Sequence, residues 1–112
     1  MCGIAVCLKN KGEVDRSRFE KMVDIIAHRG PDDRGTFYEN NLALGHRRLS
    51  IIDLSADGHQ PFLYQDKYVL LFNGEIYNYI ELRAQLEKKG YQFQTKTDTE
   101  VLIAAYDCFG DN

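Results

Sequence analysis

The sequence predicts an α+β chain, one domain or part of one, on three observations. Apolar runs of strand length recur along it. Segments between them carry apolar residues at helical spacing, closed by glycine. No internal repeat, low-complexity stretch or long linker interrupts the series. The order these signals give is strand, helix, strands, helix, strand, helix, with at most about five strands.

Residues 2–8, CGIAVCL, are continuously apolar and predict a strand buried on both faces. Lys9 to Gly12 reads as a turn. Asp15 is placed to cap a helix over Arg16–His28, whose stripe is Phe19, Met22, Val23 and Ile26, and Gly30-Pro31 stops it. HRGPDDRG, residues 28–35, reads as a turn-rich connector. A strand with a basic centre is expected over 42–52, then a polar loop to Pro61, then a strand at 68–72, YVLLF. Asn78 with Glu81, and Thr97 with Glu100, have capping-box spacing. The first opens a helix with Tyr79, Leu82, Arg83 and Leu86 on one face, ended by Gly90. Alternation from Tyr91 to Thr95 predicts a strand. The second box opens a helix with Val101, Leu102, Ala105 and Phe109, closed by Gly110.

Composition narrows the function classes. At 112 residues, 44% hydrophobic and 28% charged, the chain has enough apolar material for one core. A net charge of −3 with interspersed signs gives no basic stripe for nucleic acid. The apolar runs are too short to span a bilayer. Cys2, Cys7 and Cys108 form neither a disulfide framework nor a CxxC pair, and with the three histidines they match no metal spacing. Free thiols and no signal peptide predict a reducing, cytoplasmic setting.

Four segments have chemical potential. Cys2 on its own reads as a small buried hydrophobe. With Met1 removed, its α-amine, with a pKa of about 7.7–8.0, is a base within the same residue as the thiol. Asn73-Gly74 between apolar runs is a strong hairpin signal. The same pair offers a side-chain amide and a backbone N–H that can converge on one oxygen. Arg48 reads either as a solvated strand residue or as a planar fork for a carboxylate. Asp98 reads either as a helix-start residue or as a carboxylate for a ligand ammonium.

Six segments, MCGIA at 1–5, HRGPD at 28–32, GHRRLSIIDLS at 45–55, GHQP at 58–61, FNGEIYNY at 72–79 and TDTE at 97–100, together resemble the class II glutamine amidotransferase domain. Their form is that of the asparagine-synthetase branch. Biosynthetic relatives that amidate other carboxylate acceptors share it. The resemblance implies an N-terminal-nucleophile αββα sandwich, of which 1–112 is the N-terminal portion. It implies Cys2 as nucleophile, with Asn73 and the Gly74 backbone as the oxyanion hole. Arg48 is the implied grip on the glutamine α-carboxylate and Asp98, with Glu75 nearby, on its α-ammonium. Backbone groups around Ile51 and Ile52 are the implied substrate wall. The implied activity is hydrolysis of glutamine to glutamate and ammonia, feeding ATP-dependent asparagine synthesis from aspartate. The synthetase domain, in cis, is expected outside this chain together with ATP and Mg, and the sequence has no phosphate-binding loop or metal motif of its own. The expected partners are glutamine, that synthetase domain and a second copy of the full-length protein, with no nucleic acid and no membrane. A truncated, non-catalytic glutamine- or partner-binding module is the competing reading. A portion with so few strands is expected to leave apolar sheet surface open and to be weakly stable alone.

Overall fold

The computed structural model describes residues 2–50 and 56–111. Its elements run β1 (Gly3–Leu8), α1 (Arg16–Ile25), β2 (Asp33–Glu39), β3 (Leu42–Arg48), β4 (Phe62–Tyr64), β5 (Tyr68–Leu70), α2 (Tyr79–Lys88) and α3 (Asp98–Phe109). Two antiparallel sheets result, one ordered β1-β3-β2 and the other the hairpin β4-β5. The mixed α and β character agrees with the α+β expectation; the two small sheets do not by themselves amount to a four-layer sandwich.

The first core forms where α1 lies on one face of the three-stranded sheet. Phe19 and Val23 from the helix meet Ala5 and Ala43 from β1 and β3, flanked by Cys7, Val14, Ile26 and Tyr38. Gly45 on β3 permits this approach, because a β-carbon there would press against Val23 and the Phe19 ring. Asp15 caps α1 as expected, accepting from the Arg18 N–H at 3.2 Å. The helix stops earlier than residue 28. It tightens into a 3₁₀ turn at Ala27–Arg29, with Arg29 N–H bonded to Ile26 O. Met22, placed on the stripe by its spacing, is 45% exposed.

The expectation that β1 is buried on both faces is overturned. Ile4, Val6 and Leu8 are 39%, 52% and 69% exposed. They share a face with Leu42, Leu44 and Phe37 through the register Val6↔Leu44 and Phe37↔Leu44. α1 covers the opposite face; on this one the segment around His59 and Gln60, with Phe72, covers Gly35 and His46, and Ile4, Val6 and Leu8 stay exposed.

β2 begins inside the stretch 28–35 read as connector and runs on through residues given no element by the sequence. Asp33–Glu39 pairs with β3 through a tight turn at Asn40-Asn41, where Asn40 takes φ 51. Its charges hid it, since Arg34 is bound by Glu20 at 2.7 Å and Asp24 at 2.9 Å on α1. β3 ends at Arg48 rather than 52. Beyond it, the N–H of Leu49 goes to Cys2 Sγ and that of Ser50 to the Asp32 carboxylate, so side chains replace the ladder. Ile51 and Ile52 lie outside the described residues.

The second core joins the β4-β5 hairpin to α2 and α3 through Tyr64, Leu86, Val101, Ile103 and Ala104. β4 falls where a loop was expected to continue, and β5 is shorter than 68–72. No capping hydrogen bond comes from the Asn78 side chain, so the first capping box does not form. Gly90, at φ 100, and Gly110, at φ 70, follow the two C-terminal helices as expected. Residues 91–95 alternate in burial as a strand would but have no strand partner. Instead the Gln94 and Thr95 N–H groups donate to the Glu100 carboxylate at 3.0 and 2.7 Å. This turns the second capping box into a loop tie. Thr97 Oγ1 caps the Glu100 N–H at 3.3 Å, while the Glu100 side chain reaches further back than a box requires. Along α3 the buried apolar residues are Val101, Ile103 and Ala104, with Phe109 47% exposed. The packed face is thus rotated from the expected stripe, because the β4-β5 hairpin contacts the helix from that side.

Candidate active site

A cavity of about 310 Å³ opens where the end of β3 faces the start of α3. Cys2, Arg48, Asn73, Gly74, Glu75 and Asp98, all singled out by sequence, line it. Leu49, Gly58, Gln60, Phe72, Tyr77, Thr97 and Thr99 complete the wall. Residues 71 positions apart in the chain, Cys2 and Asn73, therefore share one cleft.

Each side chain arrives on a local device. Cys2 immediately precedes β1, whose register sets Gly3 against Arg47. Its half-buried sulfur accepts from the Leu49 N–H at 3.3 Å and lies 3.7 Å from Leu49 O, to which the thiol donates. Arg48 is the last residue of β3 and only 7% exposed. Its guanidinium packs on Gly58, where a β-carbon would collide with it. Asp98 is the first residue of α3 and also 7% exposed. One of its oxygens, Oδ2, accepts from the Ile76 N–H at 3.0 Å, and a helix N-terminus is a favourable position for a carboxylate. A buried cation and a buried anion on one cavity of this size match an α-amino acid, which carries both charges on one carbon. Glu75 stands at the exposed side of the cleft.

Asn73-Gly74 makes no hairpin turn. β5 has already ended at Leu70, and Gly74 has no positive φ of the kind a type I′ turn requires. Both residues instead sit in a loop along the cavity wall, which bends at Gly74.

Gln60, in GHQP, and His46, in GHRRLSIIDLS, had no role assigned from sequence. Gln60 Oε1 accepts from the Phe72 N–H at 2.6 Å, and His46 Nε2 lies 3.3 Å from Phe72 O. Burial pushes the His46 imidazole below its ordinary value, favouring the neutral ring. His59 is paired with Asp33 at 2.5 Å, which ties GHQP to the strand after HRGPD. The polar residues of these segments, set beside a buried strand, were the available signal. Among the described residues, no group of three or more His, Cys, Asp or Glu is arranged to hold a metal ion, and no helix is long and apolar enough to cross a membrane.

A cavity that pairs a thiol with an Asn-Gly wall and with anchors of both signs fits an amidotransferase. The chain belongs to the glutamine amidotransferase domain family, whose model matches residues 1–112. It is 56% identical over 88 residues to asparagine synthetase [glutamine-hydrolyzing] 1 of Bacillus subtilis, covering 78% of this chain and 14% of that protein. It is 41% identical over 129 residues to putative asparagine synthetase [glutamine-hydrolyzing] 2 of Methanocaldococcus jannaschii, covering 98% and 24%. It is 39% identical over 125 residues to amidase chry2 of Gibberella zeae, covering 98% and 18%. The chain thus spans about a seventh to a quarter of the length of these relatives.

Proposed function

We propose that the cavity hydrolyses glutamine to glutamate and ammonia with Cys2 as nucleophile. The observation that carries this is the convergence of Cys2, Asn73, Gly74, Arg48 and Asp98 on one cleft. With Met1 removed, the Cys2 α-amine takes the thiol proton as Sγ attacks the side-chain amide carbon of glutamine. The Asn73 amide and the Gly74 N–H stabilise the tetrahedral oxyanion. The C–N bond breaks, and ammonia leaves with the proton returned by the α-ammonium. Water then attacks the γ-glutamyl thioester, releasing glutamate and the thiol. Arg48 holds the substrate α-carboxylate and Asp98, with Glu75 nearby, its α-ammonium.

Residues 1–112 are then the N-terminal part of a glutaminase domain of the N-terminal-nucleophile kind. Ammonia passes to a synthetase domain in cis, outside this chain, which would bind ATP and Mg and take aspartate as acceptor. The asparagine synthetases among the relatives support that acceptor, and another carboxylate acceptor is the competing outcome.

Glutamate release by the full-length protein and its variants tests the site. Cys2→Ala is expected to abolish it, and near-normal turnover would refute the nucleophile. Asn73→Ala is expected to lower kcat by about 10²–10³, or ~2.7–4 kcal/mol, with a much smaller change in glutamine binding. Equal losses in kcat and binding would remove Asn73 from the oxyanion hole.

A further inference from the structure

We propose that Gln60 and His46 are positioning residues that hold the oxyanion donors in place by clamping both polar backbone groups of Phe72. The inference rests on the assignment of Asn73 and Gly74 as those donors.

The chain leaves its sheet just before the donors. β4 and β5 pair as Phe62↔Leu70, and the ladder ends there. Continuing that register outward sets Gln60 across from Phe72. At that place the Gln60 side chain, rather than its backbone, takes the Phe72 N–H, at 2.6 Å. On the other side, His46 Nε2 meets Phe72 O at 3.3 Å. A carbonyl oxygen only accepts, so Nε2 carries the proton. That carbonyl belongs to the peptide group whose nitrogen is the Asn73 N–H, so His46 fixes the plane from which Asn73 projects.

Both clamp residues are buried. Gln60 is 6% exposed and His46 1%. His46 comes from β3, where it faces Gly35 of β2 in register. A β-carbon on Gly35 would run into the Gln60 carbonyl and within 2.8 Å of the His59 ring. The missing side chain therefore lets the segment entering β4 seat on the first sheet. Phe72 is then pinned between an acceptor at the start of the hairpin and a donor on the first sheet. Asn73 follows directly, half-buried, and Gly74 is exposed at the cavity wall.

The energetic reason is preorganisation. Oxyanion donors must lie about 2.7–3.1 Å from an oxygen that exists only in the transition state, and a misplacement of about 1 Å costs on the order of 10²-fold. Gln60 also lines the cavity, but its Oε1 is occupied by Phe72. It acts on the reaction through the donors, so its loss falls on kcat rather than on substrate affinity.

The test uses the full-length, Met1-processed protein. Gln60→Met keeps the length and removes the acceptor; Gln60→Glu keeps an acceptor; His46→Phe keeps a ring and removes the donor. Gln60→Met and His46→Phe are expected to lower kcat about tenfold or more with KM for glutamine changed less than about threefold. Affinity for a γ-aldehyde analogue of glutamine, which forms a tetrahedral adduct on Cys2, falls by the same factor. Glutamate affinity and the rate of Cys2 alkylation by iodoacetamide stay at the wild-type level. Gln60→Glu recovers most of the loss. A wild-type kcat in both Gln60→Met and His46→Phe overturns the proposal, as does a rise in KM alone. So does loss of iodoacetamide reactivity in step with turnover, or a Gln60→Glu as impaired as Gln60→Met. If Asn73→Ala is defective while the clamp variants are not, only the clamp fails. If Asn73→Ala is itself normal, the oxyanion assignment beneath it fails.

Discussion

A β-carbon on Gly58 would come within 2.9 Å of Arg48 Nη1 and closer still to Nη2 and Cζ. Gly58→Ala therefore displaces the guanidinium assigned to the substrate carboxylate without changing Arg48 itself. The group displaced is the far end of a flexible side chain, so backbone rearrangement is unnecessary and the melting temperature should stay near that of the wild type. The functional cost is different. If Arg48 holds the glutamine α-carboxylate, the substitution weakens a hydrogen-bonded charge pair worth about 1.5–3 kcal/mol, or about ten- to 150-fold in affinity. The assay is glutamine titration by calorimetry in a Cys2→Ala background, which measures binding without turnover. Steady-state glutamate release from Gly58→Ala with Cys2 intact gives KM and kcat. KM should rise with the dissociation constant while kcat changes little. Wild-type glutamine affinity in a folded Gly58→Ala protein would refute the reasoning about how Arg48 is held.

Further predictions follow from the packing and the buried charges. Leu86→Ala empties a fully buried site of the second core and should cost about 2–5 kcal/mol, read as a shift in the urea midpoint. Glu100→Ala leaves the Gln94 and Thr95 N–H groups without their acceptor, and should destabilise by about 1–3 kcal/mol and weaken glutamine binding through the loop before Asp98. His46 has a folded pKa below its ordinary value because it is buried. The unfolded chain therefore takes up the proton first, and stability falls as pH drops below about 6.5 toward the lower folded value. Urea midpoints at descending pH should show this loss, and His46→Phe should flatten it. Glu20 is held below the usual carboxylate range by the Tyr38 hydroxyl and then by Arg34. Its contribution is present above about pH 4.3 and lost as pH falls through the lower folded value, so Glu20→Gln should shallow the acid limb of the stability profile.

What the sequence made legible was governed by local chemistry. Asp15, Gly90 and Gly110 marked helix ends because capping and positive φ depend on one or two residues. The candidate site was legible because its members are polar residues of distinctive type, and the cavity brings Cys2, Arg48, Asn73, Gly74, Glu75 and Asp98 together. β2 was missed because its charged residues pair with α1, a tertiary fact invisible in the alternation of DRGTFYE. Tyr91 to Thr95 has strand-like alternation, yet its N–H groups are claimed by Glu100. Asn73-Gly74 has the hairpin signal, yet Gln60 and His46 draw Phe72 off the ladder just before it. For Arg34 and Phe72 the deciding hydrogen bonds come from side chains ten or more residues away; for Tyr91 to Thr95 the acceptor, Glu100, is near in sequence, but residue types alone do not show that its side chain takes the N–H groups.

The most direct test of the central claim is to map the covalent adduct of a thiol-reactive glutamine analogue on the full-length protein. The account predicts one equivalent of label, blocked by glutamine, on a peptide that begins at Cys2 with a free amine before labelling. Label on Cys7 or Cys108, label insensitive to glutamine, or no label on a protein that still releases glutamate would contradict it.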